Sequence, residues 1–288
     1  MEEPLIDVNH LFFWDPILLE GTPFEVNRVV LLTFVAGLLC LAFFWAGAKA
    51  RLIPKGFFQN AAEQGYTFVR NQIAVDVIGP KDGPKYASYL ASLFFFIFFC
   101  NLLEIVPGIN FPVTSRMAVP AALSLLTYVL FVVIGFKKQG FRFLKDTLFP
   151  PGVPMLVKPL LAIIELVSVF FIRPLTLAIR LLANMMAGHV LLTIFFLFTH
   201  DFIWPFQEAG LGISAPLGVV TFIVACGLLV FEMMVISIQA YIFTLLTAFY
   251  ISESIHGHGD HADTSEHESH QVETQRPLTE GIQTATAA

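Results

Sequence analysis

Ile172-Arg173-Pro174-Leu175-Thr176-Leu177-Ala178-Ile179-Arg180-Leu181-Leu182-Ala183-Asn184-Met185-Met186-Ala187-Gly188-His189 is the stretch from which the rest of the chain is read. It puts Arg180 and, four residues on, Asn184 inside a run otherwise apolar enough to lie in lipid. A guanidinium keeps its charge, and holding it at membrane depth costs roughly 2.5 kcal/mol or more unless a carboxylate or water meets it. The stretch therefore predicts a membrane helix that keeps Arg180 for a partner. Snorkelling to the interface is the plainer alternative, but Arg180 lies well inside its run.

Composition points to the same solvent. Of 288 residues, 56% are hydrophobic, 31 are Phe and only 13% are charged, so a water-soluble globule would expose large apolar patches. The expected fold class is an all-α integral membrane protein. The formal net charge of -6 says little about the embedded part, because the last 36 residues (253–288) hold seven acids against the single base Arg276. Cys40, Cys100 and Cys226 all fall in apolar runs and read as small hydrophobes, so neither a disulfide framework nor a metal site is expected.

Working outward, apolar runs of spanning length cover residues 29–48, 86–106 and 117–136, each near the ~20 residues that a bilayer requires. Residues 57–79 mix apolar positions at helical spacing with Gln59, Glu63, Arg70 and Asp76, which fits an interfacial amphipathic helix. The last two runs, 155–199 and 217–251, would be about 67 Å and 52 Å long as continuous helices, against a hydrocarbon core of about 30 Å. Either they are broken, with Pro159 and Pro174 as candidate break points, or they form a steeply tilted hairpin joined by the 200–216 loop; the tilted hairpin is the expectation adopted. About five crossings result. Residues 1–26 form an acidic N-terminal segment without a convincing signal peptide, 27–252 the membrane domain, and 253–288 a disordered His- and acid-rich tail. The loops at 49–85 and 137–146 carry the bases, whereas 200–216 has none, which places both basic loops and the tail in the cytoplasm and residues 1–26 outside.

The polar residues within the spans fall on particular helix faces. At 100° per residue, Arg173, Leu177, Arg180, Asn184 and Ala187 share one stripe, while His189 lies about 180° round from Arg180. On the last helix Glu232 and Gln239, seven apart, share a face, and Ser237 lies elsewhere on the cylinder. Two helices that are both polar in mid-membrane suggest a wet path between or beside them. His189 and Asn184 could equally be packed hydrogen-bonding residues, Glu104 an interfacial anchor, and Glu165 a channel residue or a partner for Arg173. The unpaired carboxylate of Glu232 at depth is costly and reads as functional.

The segments Arg180–His189 and Gln239-Ala240-Tyr241-Ile242-Phe243-Thr244-Leu245-Leu246-Thr247 resemble the two signature helices of subunit a of the F-type ATP synthase, and Asn101-Leu102-Leu103-Glu104-Ile105-Val106-Pro107-Gly108 extends the likeness over roughly 25–252. The resemblance implies a non-catalytic stator subunit, without cofactor, metal or nucleic acid, partnered by the lipid bilayer, the c-ring subunits and peripheral-stalk b-type subunits in a bacterial plasma membrane. It implies that Arg180 faces the ring carboxylates and separates two offset proton half-channels, with Glu232, His189, Asn184 and Gln239 along the proton path. Glu165 matches the family's upstream acid with its spacing shifted by a residue; Arg173, Glu104 and Ser237 are secondary candidates. Many bacterial members resemble this chain but exchange the Glu and His at positions 189 and 232, so each form keeps one carboxylate and one imidazole. A stand-alone transporter using Arg180 as an anion site would call for an internal repeat, and none is visible. A purely structural scaffold would have no reason to bury two arginines, a glutamate and a histidine.

Overall fold

The computed structural model describes residues 27–47, 56–106, 109, 111, 113–143, 158–203 and 214–256. The segment 1–26, the bases Lys49, Arg51, Lys55 and Lys145, the Pro107-Gly108 pair, residues 204–213 of the hairpin loop and the tail from 257 lie outside the described residues. The elements are α1 (Arg28–Gly47), α2 (Phe57–Phe68) continued by a π segment (Val69–Ile78), α3 (Gly83–Leu102), a short 3-10 turn (Val113–Ser115), α4 (Ala118–Gln139), α5 (Lys158–Val167) continued by a second π segment (Ser168–Ile172), α6 (Arg173–Ile203) and α7 (Ser214–His256). Among the described residues there is no strand, and five helical runs are long and apolar enough to cross a membrane. The chain is a multi-pass, all-α integral membrane protein, and each helix satisfies its own backbone hydrogen bonds, as a segment in lipid requires.

Two compact units can be separated. One falls within 1–128 and 173–249, the other within 129–172 and 250–288. In the first, α3 is the hub. Its Cys100, with Leu103 beyond it, packs with Val29, Leu32 and Ala36 of α1 and with Phe111 and Val113. Leu93 and Ile97 pack with Leu123 of α4, Leu177 and Leu181 of α6, and Ala240 and Phe243 of α7. Helices in lipid gain little from excluding water, so such contacts hold through van der Waals packing and close approach at small residues. A Cβ on Gly47, for instance, would stand 2.6 Å from that of Ala62.

The 57–79 stretch is helical throughout, but its second half is wider than α. Hydrogen bonds from residue i to i+5 spread the turn, so that Val69, Ile73, Ala74 and Ile78, four to five apart, keep to one buried face. The segment stops at Gly79, whose φ of 101° and ψ of 162° belong to a region open essentially to glycine alone.

In the second unit, Phe131 stacks edge-on with Phe143 at 5.5 Å between ring centroids and meets Tyr250 at 6.3 Å, while Gln139 Nε2 donates to the Ser254 carbonyl at 2.9 Å. Lys137 and Lys138 end α4, where a cation suits the negative end of the helix dipole.

Neither candidate break point interrupts the helical run from Lys158 to Phe202, which is 45 residues long. Pro159 is the second residue of α5, where its missing N–H would have had no intrahelical partner. Pro174 lies inside the run, and the π segment Ser168–Ile172 ends two residues before it. A widened turn accommodates the pyrrolidine ring and the carbonyl it leaves without a donor. The last helix, α7, is 43 residues long, about 64 Å at 1.5 Å per residue.

Candidate functional site

All groups of the site come from the first unit. With Arg180 taken as zero on the α6 wheel, Leu177, Leu181, Met185, His189 and Leu192 fall between about 60° and 180°, and all are buried. Arg180, Ala183 and Ala187 lie on the opposite arc and are exposed. The exposed face beside Arg180 carries Thr176 and Asn184 as well as the apolar Ala183 and Ala187, with Leu175 and Ile179 exposed further round the helix. Among the described residues, Arg180 has no hydrogen bond or ion pair. Asn184, one turn on, donates through Nδ2 to Oε1 of the buried Gln239 at 2.7 Å and so ties α6 to α7 beside the arginine.

Across the helix lies a second polar cluster. Gly218, Ala225, Glu232 and Gln239 recur every seven residues along α7 and are all buried, which carries the Glu232 carboxyl to the inner side of α6. There it lies against Gly188: a Cβ built on that glycine would stand 2.5 Å from Cδ and Oε2 of Glu232. The next residue, His189, is buried and directs Nδ1 to within 3.4 Å of Glu104 Oε1. Glu104 belongs to the turn that follows α3 and is itself 4% exposed. Both Glu104 oxygens and Oε1 of Glu232 lack a hydrogen-bond partner among the described residues. Three groups able to take up or release a proton thus meet in one buried place, with carboxylate lone pairs still open to a proton or to water.

Of the residues singled out from sequence, Arg180, Asn184 and Gln239 form one group, and Glu104, His189 and Glu232 another. Ser237 is exposed and donates to the carbonyl of Met233 at 3.0 Å, so its own helix satisfies it. Arg173 is the half-buried first residue of α6, and Glu165 is half-buried on α5, in the other unit. Two contributors escaped the sequence reading. Gly188 makes room for the Glu232 carboxyl; a glycine inside a helix costs about 1 kcal/mol relative to alanine, which was the available signal. Asn101, fully buried, accepts a hydrogen bond of 2.5 Å from Thr114 and so ties the end of α3 to the 3-10 turn beyond Glu104.

A sequence profile described as ATP synthase A chain matches residues 29–252, which includes every residue of both groups. The chain belongs to the ATP synthase A chain family. Its relatives include the ATP synthase subunit a of Rhodococcus erythropolis, 39% identical over 247 residues, or 85% of this chain and 88% of the relative. That of Frankia alni is 40% identical over 263 residues, 90% of this chain and 88% of the relative, and that of Rhodospirillum rubrum 39% identical over 232 residues, 81% and 89%. The ATP synthase A chain family membership carries ATP synthesis and proton transport with it, as the sequence resemblance implied.

Proposed function

We propose that this chain is the stator subunit that offers two offset proton half-channels to the carboxylates of a rotating c-ring, with Arg180 fixed between them. The observation that carries the reading is the opposition of the two groups across α6: an outward guanidinium without an acceptor among the described residues, and a buried acid–imidazole–acid cluster behind it. Protons enter from the extracytoplasmic side through the Glu104, His189 and Glu232 cluster and neutralise a ring carboxylate. A neutral carboxyl group turns into lipid at far lower cost than an ionised one. On its return it gives up the proton to a second half-channel that opens to the cytoplasm. Arg180 stabilises the ionised carboxylate by direct charge pairing, and its positive charge blocks a proton from running straight between the channels.

In this reading the Asn184–Gln239 hydrogen bond holds α6 and α7 in register beside the arginine, while Glu165, Arg173 and Ser237 have secondary parts in the proton path. The lengths of α6 and α7 fit a hairpin lying steeply tilted against the curved ring, because an upright helix of 43 residues would leave several apolar turns outside the bilayer. Residues 57–79 lie at the interface, and the tail from 253 is cytoplasmic. Peripheral-stalk b-type subunits are the second partner, and the complex resides in the bacterial plasma membrane. The test is Arg180→Ala in the assembled complex: coupled synthesis from an imposed proton gradient should be abolished, and a rate near wild type would reject the reading.

A further inference from the structure

Arg28 is the first residue of α1, a twenty-residue helix that is otherwise almost wholly apolar. A fixed cation at a helix N-terminus opposes the helix dipole, so the position calls for a compensating use. The guanidinium reaches 81 residues along the chain: Nη2 donates to the carbonyl of Ile109 at 2.7 Å, and Cζ lies 6.0 Å from the centroid of the Phe111 ring. Phe111 is buried in the cluster with α1 and α3, and it also meets the His189 ring edge-on at 6.4 Å between centroids with 67° between the planes. His189 in turn addresses Glu104.

We infer that Arg28 and Phe111 are positioning residues for proton entry: the arginine holds the Ile109 carbonyl and lies against the Phe111 ring, and Phe111 abuts the His189 ring so that Nδ1 stays turned to Glu104. The inference rests on the proposed role of His189 in the inlet. An imidazole in a buried site passes a proton only when its nitrogens stay within hydrogen-bond reach of their partners, and a ring free to swivel spends most of its time misaligned. Among the described residues, Glu104 abuts His189 from the turn after α3, Glu232 of α7 lies beside the neighbouring Gly188, and Arg28 of α1 reaches the ring through Phe111. The guanidinium is suited to the task because one planar group both donates to a carbonyl and lies against an aromatic ring, which an ammonium does less well.

The test uses the whole ATP synthase reconstituted in vesicles, with ATP synthesis driven by an imposed proton gradient and measured against the pH of the inlet side. Arg28→Gln and Phe111→Leu should each slow synthesis roughly 3- to 10-fold and shift the inlet-side pH at which the rate is half-maximal. Combined, they should do little more than either alone, and Arg28→Lys should recover part of the rate. A merely structural role would scale the rate by the same factor at every pH, in step with the amount of assembled complex, and that result would overturn the inference. If Arg28→Gln fails to assemble, Phe111→Leu and Arg28→Lys carry the same test. His189→Ala is measured alongside. Normal proton entry in that variant would overturn the proposed role of His189, whereas slow entry in it with wild-type behaviour of Arg28→Gln and Phe111→Leu would overturn this inference alone.

Discussion

Gly188→Ala separates assembly from proton transfer. In most helices the exchange is favourable by about 1 kcal/mol, because alanine loses less backbone entropy. Here the new methyl would stand 2.5 Å from Cδ and Oε2 of Glu232, well inside the 3.4–4 Å of ordinary contact. The obstructing atoms are the far end of a flexible side chain, so the clash is relieved by moving the carboxyl group about 1 to 1.5 Å rather than by prising α6 from α7. Stability should therefore change by no more than about 1 kcal/mol. A displacement of that size in a proton-relay group, however, costs up to about 100-fold in rate. We expect Gly188→Ala to assemble at wild-type levels and to drive ATP synthesis about 10- to 100-fold more slowly, measured in reconstituted vesicles normalised to enzyme content. In a Glu232→Gln background the extra methyl should add little. Wild-type synthesis by Gly188→Ala, or full additivity of the two changes, would refute the claim that Gly188 exists to seat the carboxyl.

Further outcomes follow from the same geometry. Glu232→Gln alone should slow proton entry, since an amide hydrogen-bonds but does not relay a proton near neutral pH, and the double exchange His189→Glu with Glu232→His should recover part of the loss; a double-mutant cycle with zero coupling energy would reject a shared inlet. Asn184→Leu leaves the buried Gln239 amide without its donor and should destabilise the α6–α7 pair by about 1–3 kcal/mol, read as a lower midpoint in thermal disassembly; an unchanged midpoint would count against this hydrogen bond as the tie. Gly79→Ala meets no atom within 4 Å but must adopt a φ of 101°, so a loss of about 1–3 kcal/mol from backbone strain alone is expected in the same assay.

Much of this was legible before the structure. Turning α6 at 100° per residue sets His189 opposite Arg180, and the structure buries the first and exposes the second. The seven-residue spacing of Glu232 and Gln239 likewise gives a common face, which the buried Gly218 and Ala225 continue. Helical periodicity speaks only of neighbours within one element, however. Glu104 and His189 are 85 residues apart, and the turn after α3 brings them together through tertiary packing that no periodicity encodes. The two π segments were invisible for a related reason. Their wider turns, at Val69–Ile78 and at Ser168–Ile172 two residues before Pro174, are places where an α-helical count of residues slips.

The central claim is that the charge of Arg180, turned outward on α6 and unpaired within the described chain, meets a partner's carboxylate and keeps the two proton paths apart. It is tested most directly by imposing a proton gradient on vesicles that hold the complete complex with Arg180→Ala, and recording ATP synthesis and passive proton flux together. The account predicts no coupled synthesis and a raised passive leak, with Arg180→Lys also failing because a compact ammonium lacks the planar fork. Synthesis near the wild-type rate in Arg180→Ala, without added leak, would contradict it.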